Sequence, residues 1–425
     1  MVGQYENSFL TVVSRADMED VRCSIIPLAW GKAMGADSPR LRNWGGRVSS
    51  RKETSSLADL DAGGLFGRVA RLLGAATVLC GLITFSVSSA SGATGSQVTV
   101  DPSAASLITH PYRHGVVPML GQTTLVQATC SSACVHFGGG VDFVGVTTGK
   151  EKVYLVFWGS QWGTQSTNGS GYVQFSGDTV GMAPDLQAFF SGLGSSLDKW
   201  SGVTTTYCQG VKKGAVFCPA KAAHVAYPTG GALAGVWEDN SALSPQQSSA
   251  HQIALEAEKA AAHFGNTTQT SNRDAQYVIV SPTNTNPDNY KNAGFCAWHD
   301  YSGDSTLDGG GAVSGPHIAF TNLPYIPDAG SSCGAGFVNP GNVLDGVTIV
   351  EGHEYAETIT DQFPVGGWIS SSNEEVGDLC AWKSSGAGKT QDVTLSTGKF
   401  ALQGIWANVA NKNTGGCLIA HPIVT

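Results

Sequence analysis

The residue pattern predicts an α+β fold, and three observations carry that prediction. Short β-branched and aromatic runs, "KVYLVFW" (152–158) and "AQYVIV" (275–280), have the composition of buried strands. Two longer segments, 244–265 and 342–361, carry helical signals. The two kinds alternate without the strict βαβ order of a doubly wound sheet. The chain has 425 residues, 41% of them apolar, which is enough for one large core or two modest ones. Only 13% are charged and 55 are glycine, as suits a loop-rich exported protein.

The elements follow in order. Residues 68–93, "RVARLLGAATVLCGLITFSVSSASGA", run from arginines through an apolar stretch to small residues, the order of a signal peptide. The apolar stretch is short of the roughly 20 residues a membrane span needs. Residues 1–93 are therefore expected to be a leader, with translation starting nearer Val48 or Val69. The leader holds ten basic and eight acidic residues, so the remainder carries −11 where the whole chain carries −9. Such an acidic exported chain gives no electrostatic reason to bind nucleic acid or an anionic membrane, and no stable membrane insertion is expected after processing.

Residues 94–140 lack periodicity and read as an N-terminal arm or pro-segment, leaving 141–425 as the main domain. Beyond "KVYLVFW", residues 183–200 read as a helix broken by its glycines and "VTTTYC" (203–208) as a strand. Residues 244–265 offer Ser244 as N-cap, Pro245 at the first helical position and Gly265 as a stop. "HIAF" (317–320) reads as a further strand, and 342–361 as a second helix.

Eight of the ten cysteines lie beyond the leader, and an even count after an export signal predicts disulfides. Short spacing suggests Cys130–Cys134 and Cys208–Cys218; elimination then leaves Cys296–Cys333 and Cys380–Cys417 among roughly 105 possible pairings.

The chemistry concentrates in "EGHEYAETITDQFPVGGWISSSNEEVGDLC" (351–380). On a helix, His353 and Glu357 stand one turn apart on one face and can grip one ion, while Glu354 points elsewhere and can serve as a base. This is the H-E-x-x-H geometry with glutamate in place of the second histidine. A third ligand has three candidates, Glu375, then Glu374, then Asp361. The layout resembles that of the gluzincin proteases, which implies an orienting role behind a ligating histidine for Asp378. Taken alone the motif is short enough to be a solvated helix face. Zn²⁺ is the expected ion, although two carboxylates and one imidazole also suit Mn²⁺ or Ca²⁺.

"HEYAETITD", "GGW" and "EVGDLC", with "VYLVFWGSQW" (153–162) and "FFSGLGSSLDKWSGVTTTYC" (189–208), resemble the corresponding blocks of the plant phosphate-induced, Exordium-like secreted proteins. "GFCAWHDYSG" and "NLPYIPDAG" resemble uncharacterised actinobacterial exported proteins. The resemblance spans about residues 140–420. It implies a zincin-like fold, with a mixed sheet and an active-site helix stapled by disulfides, and it favours Glu375 over Glu374. Gln362 departs from the family pattern, where proline often follows the Thr-Asp pair.

Other residues carry weaker signals. His299 could support a ligand or meet substrate, but beside a cysteine expected to be bridged it is more often structural, and His317 reads as a core histidine. His421 occupies the position of an oxyanion-stabilising histidine in some metalloproteases. "GSSCG" (330–334) lacks the strand and helix of a nucleophile elbow, and "SGAGKT" (385–390) has Lys383 where a phosphate loop needs glycine. Two functions are thus expected. The first is a secreted zinc endopeptidase acting on protein or peptide through metal-activated water, with His353, Glu357 and Glu375 as ligands and Glu354 as general base. The second is a non-catalytic extracellular or cell-wall-associated Exordium-like binding protein.

Overall fold

Six apolar, β-rich runs pair into one sheet, and that sheet positions everything discussed below. The computed structural model describes residues 110–122, 134–420 and 423, all within one unit spanning Gly92–Thr425. The expected signal segment, Cys130 and His421 lie outside the described residues.

The strands are β1 (His114–Pro118), β2 (Lys152–Trp158), β3 (Leu233–Asp239), β4 (Ala275–Val280), β5 (Phe295–Tyr301) and β6 (Ala319–Leu323). Their spatial order is β1-β5-β6-β4-β2-β3. Strands β3, β2, β4 and β6 are mutually parallel, and β5 runs against its neighbours β6 and β1. The sheet is therefore mixed, as expected. Alternation along the strands feeds two cores: Leu155, Phe157, Val278 and Val280 face one way, Val156, Tyr277 and Ile279 the other. Helix α1 (Met182–Gly192) and helix α3 (Asp345–Thr360) cover the first face, and α2 (Ala250–His263) covers the second. A hairpin of β7 (Gln391–Leu395) and β8 (Gly398–Leu402) packs on the outer side of α3. The expected N-terminal arm supplies β1, whose Val117 is fully buried. Among the described residues no helix is long and apolar enough to cross a membrane.

Three local expectations differ from the structure. "VTTTYC" is a 3-10 turn over Ser201–Thr206, because Thr204, Thr205 and Thr206 each donate a hydroxyl to the carbonyl three residues back, while Asp198 accepts the N–H groups of Trp200 and Ser201. Helix α2 starts at Ala250, not after Ser244. Ser249 and Gln252 form a capping box, and the main chain of Ser244 is held instead by the Gln161 side chain. "HIAF" joins the sheet only from Ala319, since side chains of Gln269 and Ser302 take the N–H groups of His317 and Ile318. His317 itself is not a core histidine. Its Nδ1 pairs with Asp142 at 2.8 Å, and the side chain is partly exposed.

Disulfides Cys208–Cys218, Cys296–Cys333 and Cys380–Cys417 are all formed. Cys134 is also bridged, while the expected partner Cys130 falls outside the described residues.

Candidate metal centre

Helix α3 carries the H-E-x-x-E motif, and all sixteen of its residues are buried. His353 and Glu357 project from one face as their spacing dictates, with His353 Nε2 3.0 Å from Glu357 Oε2. Strand β5 brings His299 to the same place, its Nε2 3.7 Å from Glu357 Oε2 and 3.3 Å from Glu375 Oε1. The loop after α3 brings Asp378, whose Oδ1 is 3.5 Å from His353 Nε2. Ligands about 2.0–2.1 Å from one tetrahedral ion stand roughly 3.4 Å apart, so these separations suit a shared cation.

The supporting bonds fix which atoms face inward. Glu357 Oε1 accepts the N–H groups of Gly377 and Asp378 at 2.8 and 2.9 Å, which leaves Oε2 for the cluster. Gln403, just after β8, donates through Nε2 to the Gly377 carbonyl, so its Oε1 faces His353 Nδ1 at 3.2 Å and holds the proton there. His353 Nε2 is thereby aimed at the cluster. Asp378 Oδ2 accepts the Glu375 N–H and ties the loop to itself.

Gly115 is required where β1 crosses this group. Its φ is +55°, and a Cβ there would overlap Glu357 Oε2 and approach His299 Nε2 to 2.7 Å.

His299, His353, Glu354 and Glu357 are wholly inaccessible, and Glu375 nearly so. None of the described lysines or arginines pairs with them. His353 Nε2, His299 Nε2, Glu357 Oε2, Glu375 Oε2 and both Glu354 oxygens have no hydrogen-bond partner among the described residues. Burial pushes Glu354 and Glu375 far above the usual carboxylate range, reinforced by the Glu357 carboxylate. Burial also drives His299 down to about 4 against the pull of Glu357; for His353 burial acts the same way, but Glu357 and Asp378 overcome it and raise the imidazole. An acidic, buried, half-satisfied cluster is costly by itself and is relieved by a divalent ion. The residues present fit such an ion. His353, Glu357 and Asp378 form one compatible group and His299, Glu354 and Glu357 another.

Of the residues singled out in the sequence, the structure brings together His353, Glu354 and Glu357; Glu375 reaches them through His299 and belongs to neither compatible group. Glu374 is turned away, bound by Ser370 and lining a neighbouring cavity. Asp361 is spent on the turn after α3, accepting the N–H groups of Val365, Gly366 and Gly367. Asp378 faces the same nitrogen of His353 as Glu357 does, and the orienting role expected of it belongs to Gln403. His299 joins the cluster instead of serving only the strand; its signal was a buried imidazole inside the apolar run "FCAWHDY".

Beside the cluster lies a cavity of about 470 Å³, bounded by β1 and the 372–382 loop. Arg113, His114, Gly115, Glu374, Asp378 and Trp382 are among its walls, and Asp378 is the cluster residue that reaches it. Comparison with protein-family models, with curated proteins and with solved structures found no match.

Proposed function

We propose that the protein is an exported, metal-dependent hydrolase, a zincin-like endopeptidase whose ion is held by His353, Glu357 and Glu375, with His299 and Asp378 completing the shell. One observation carries this reading: five imidazole and carboxylate groups from α3, β5 and one loop converge with successive separations of 3.0–3.7 Å, and no described lysine or arginine pairs with them. Zn²⁺ is the ion best matched to this mixed nitrogen and oxygen set. When bound, it supplies Lewis-acid polarisation and lowers the pKa of water.

The chain's own residues do the rest. Glu354 offers an oxygen within 4.8 Å of ligand atoms of His299 and Glu357, and once a cation offsets the burial that holds it neutral it can take a proton from attacking water and return it to a leaving amine. Gln403 fixes the His353 tautomer, and the N–H groups of Gly377 and Asp378 fix Glu357. The cavity of about 470 Å³ falls in the range of small-ligand and side-chain sites and borders the cluster at Asp378. Three formed disulfides support an extracellular location.

A second reading, an extracellular binding protein with a structural ion, is favoured by the complete burial of His299, His353, Glu354 and Glu357. Elemental analysis of the purified chain combined with a peptide-library digest tests the proposal. Metal with cleavage is expected; metal without cleavage leaves the binding reading, and absence of metal overturns both.

A further inference from the structure

A second group of ligand-type side chains lies near the first and shares no residue with it. His114 opens β1, Asp300 sits near the end of β5, and Asp304 follows in the next turn. Pairing of β1 with β5 sets His114 opposite His299 and so brings it to this strand end. Each of the three offers one ligand atom, and these atoms lie within 4.8 Å of one another. We propose that His114, Asp300 and Asp304 form a second cation site, selective for a divalent transition-metal ion.

The strongest observation is Asp300. It is wholly buried; Oδ1 accepts the Tyr301 N–H at 2.7 Å, while Oδ2 has no hydrogen-bond partner among the described residues. Leaving such an oxygen dry and unpaired costs free energy that a bound cation recovers. Asp304 is set in place beforehand, its oxygens accepting the N–H and hydroxyl of Thr306 at 2.7 and 2.8 Å. His114 Nε2 stands 3.7 Å from Asp304 Oδ2. No described lysine or arginine pairs with Asp300 or Asp304, so the two carboxyls have only an imidazole between them and an uncompensated charge.

The donor set decides the class of ion. An imidazole beside two carboxylates favours Zn²⁺ over Ca²⁺ and Mg²⁺, which prefer shells built of oxygen alone. His114 also lines the cavity beside β1, which gives the ion a path in. The competing explanation is that Asp300 and Asp304 share one proton, since burial and the neighbouring Asp304 both hold Asp300 in its neutral form. That arrangement binds no metal.

The experiment counts metal on the full chain after equilibration with excess Zn²⁺ and removal of free ion. Wild type is expected to retain two equivalents, the Asp300→Asn/Asp304→Asn double variant one, the His353→Ala/Glu357→Ala double variant one, and the quadruple variant none. Two equivalents retained by Asp300→Asn/Asp304→Asn overturn this inference. So does a single wild-type equivalent that disappears with His353 and Glu357. A single equivalent lost only with Asp300 and Asp304 upholds it and overturns the ligand set proposed above; no bound metal at all overturns both. His114→Ala guards against misfolding, because His114 is partly exposed: its circular dichroism should match wild type while the second equivalent binds at least tenfold more weakly. An unchanged Zn²⁺ isotherm in that variant also overturns the inference.

Discussion

Helices α2 and α3 pack on opposite faces of the same sheet, and they are built on opposite principles. Helix α2 is amphipathic: Ile253, Ala254, Ala257 and Ala260 meet the sheet, and Leu255 and Lys259 face outward. Its ends are held by local chemistry, Ser249 and Gln252 at the start and Gly265 in the left-handed region at the end. Helix α3 has no exposed face. It carries Glu351, His353, Glu354 and Glu357 into the interior and begins without a side-chain cap. Charge of this kind opposes folding, so α3 is retained for what its polar groups bind, whereas α2 is retained for what its apolar groups cover. Substitutions that treat the two helices differently test that contrast.

The largest effect should come from removing the ligands of α3. Replacing His353 or Glu357 with Ala should bring the ion held by that cluster to background, Glu375→Ala should lower it sharply, and Glu374→Ala should leave it at the wild-type level. Elemental analysis of the four proteins checks this. Retention in Glu375→Ala with loss in Glu374→Ala would show that the loop adopts another register.

Next in size is Glu354→Gln. Gln keeps the volume and polarity of the side chain and removes its basicity, so metal content and melting temperature should hold while peptide cleavage falls by roughly 10² to 10⁴-fold. Unchanged cleavage would remove Glu354 from the mechanism. Cleavage missing from metal-loaded wild type would move the balance to the binding-protein reading.

How much of this contrast the sequence carried depended on how local the cause was. The strands 152–158 and 275–280 and the helix containing His353 were legible because periodicity and composition act over a few residues. So was the pairing of His353 with Glu357, which needs only the pitch of a helix. The Ser201–Thr206 turn was not, because β-branched residues suggest a strand until the threonine hydroxyls are seen to return to the backbone. His299 was ranked as structural, ahead of a role supporting the site or meeting substrate, for a different reason. It lies 54 positions before His353 and meets it only through the β5 and α3 packing, a contact that no local pattern encodes. Asp378 was misjudged because only tertiary packing brings Gln403 to the back of His353.

A smaller effect concerns Glu151, which lies under α3 beside Tyr355 and accepts the Thr147 hydroxyl at 2.9 Å. Burial raises its pKa from 4.5 to about 8, with the Thr147 hydrogen bond pulling the other way. A carboxyl raised in the folded state favours folding fully below its unfolded pKa, and that contribution is lost as pH rises through the folded value. Stability should therefore decline between about pH 4.5 and pH 8, by on the order of 5 kcal/mol from this group. Urea unfolding across that range should show the decline in wild type and a flatter profile in Glu151→Gln. Identical slopes in the two proteins would mean that Glu151 ionises freely and that the floor of α3 is wetter than its burial implies.

The smallest effect belongs to α2 and is purely structural. Ser249 accepts the Gln252 N–H at 3.3 Å while the Gln252 side chain accepts the Ser249 N–H at 2.9 Å, two otherwise orphaned donors satisfied at once. Ser249→Ala removes the hydroxyl and should cost about 1 kcal/mol. Ser244, the residue whose position before Pro245 suggests a cap, makes no such bond; its hydroxyl has no partner among the described residues, so Ser244→Ala should cost less. Denaturant midpoints of the two variants measured side by side separate these positions. Neither substitution touches a group facing the cluster, so metal content should stay at the wild-type value in both. Loss of metal in Ser249→Ala would mean that the two faces of the sheet are coupled, and the division of labour between the helices would fail at the place where it is most easily measured.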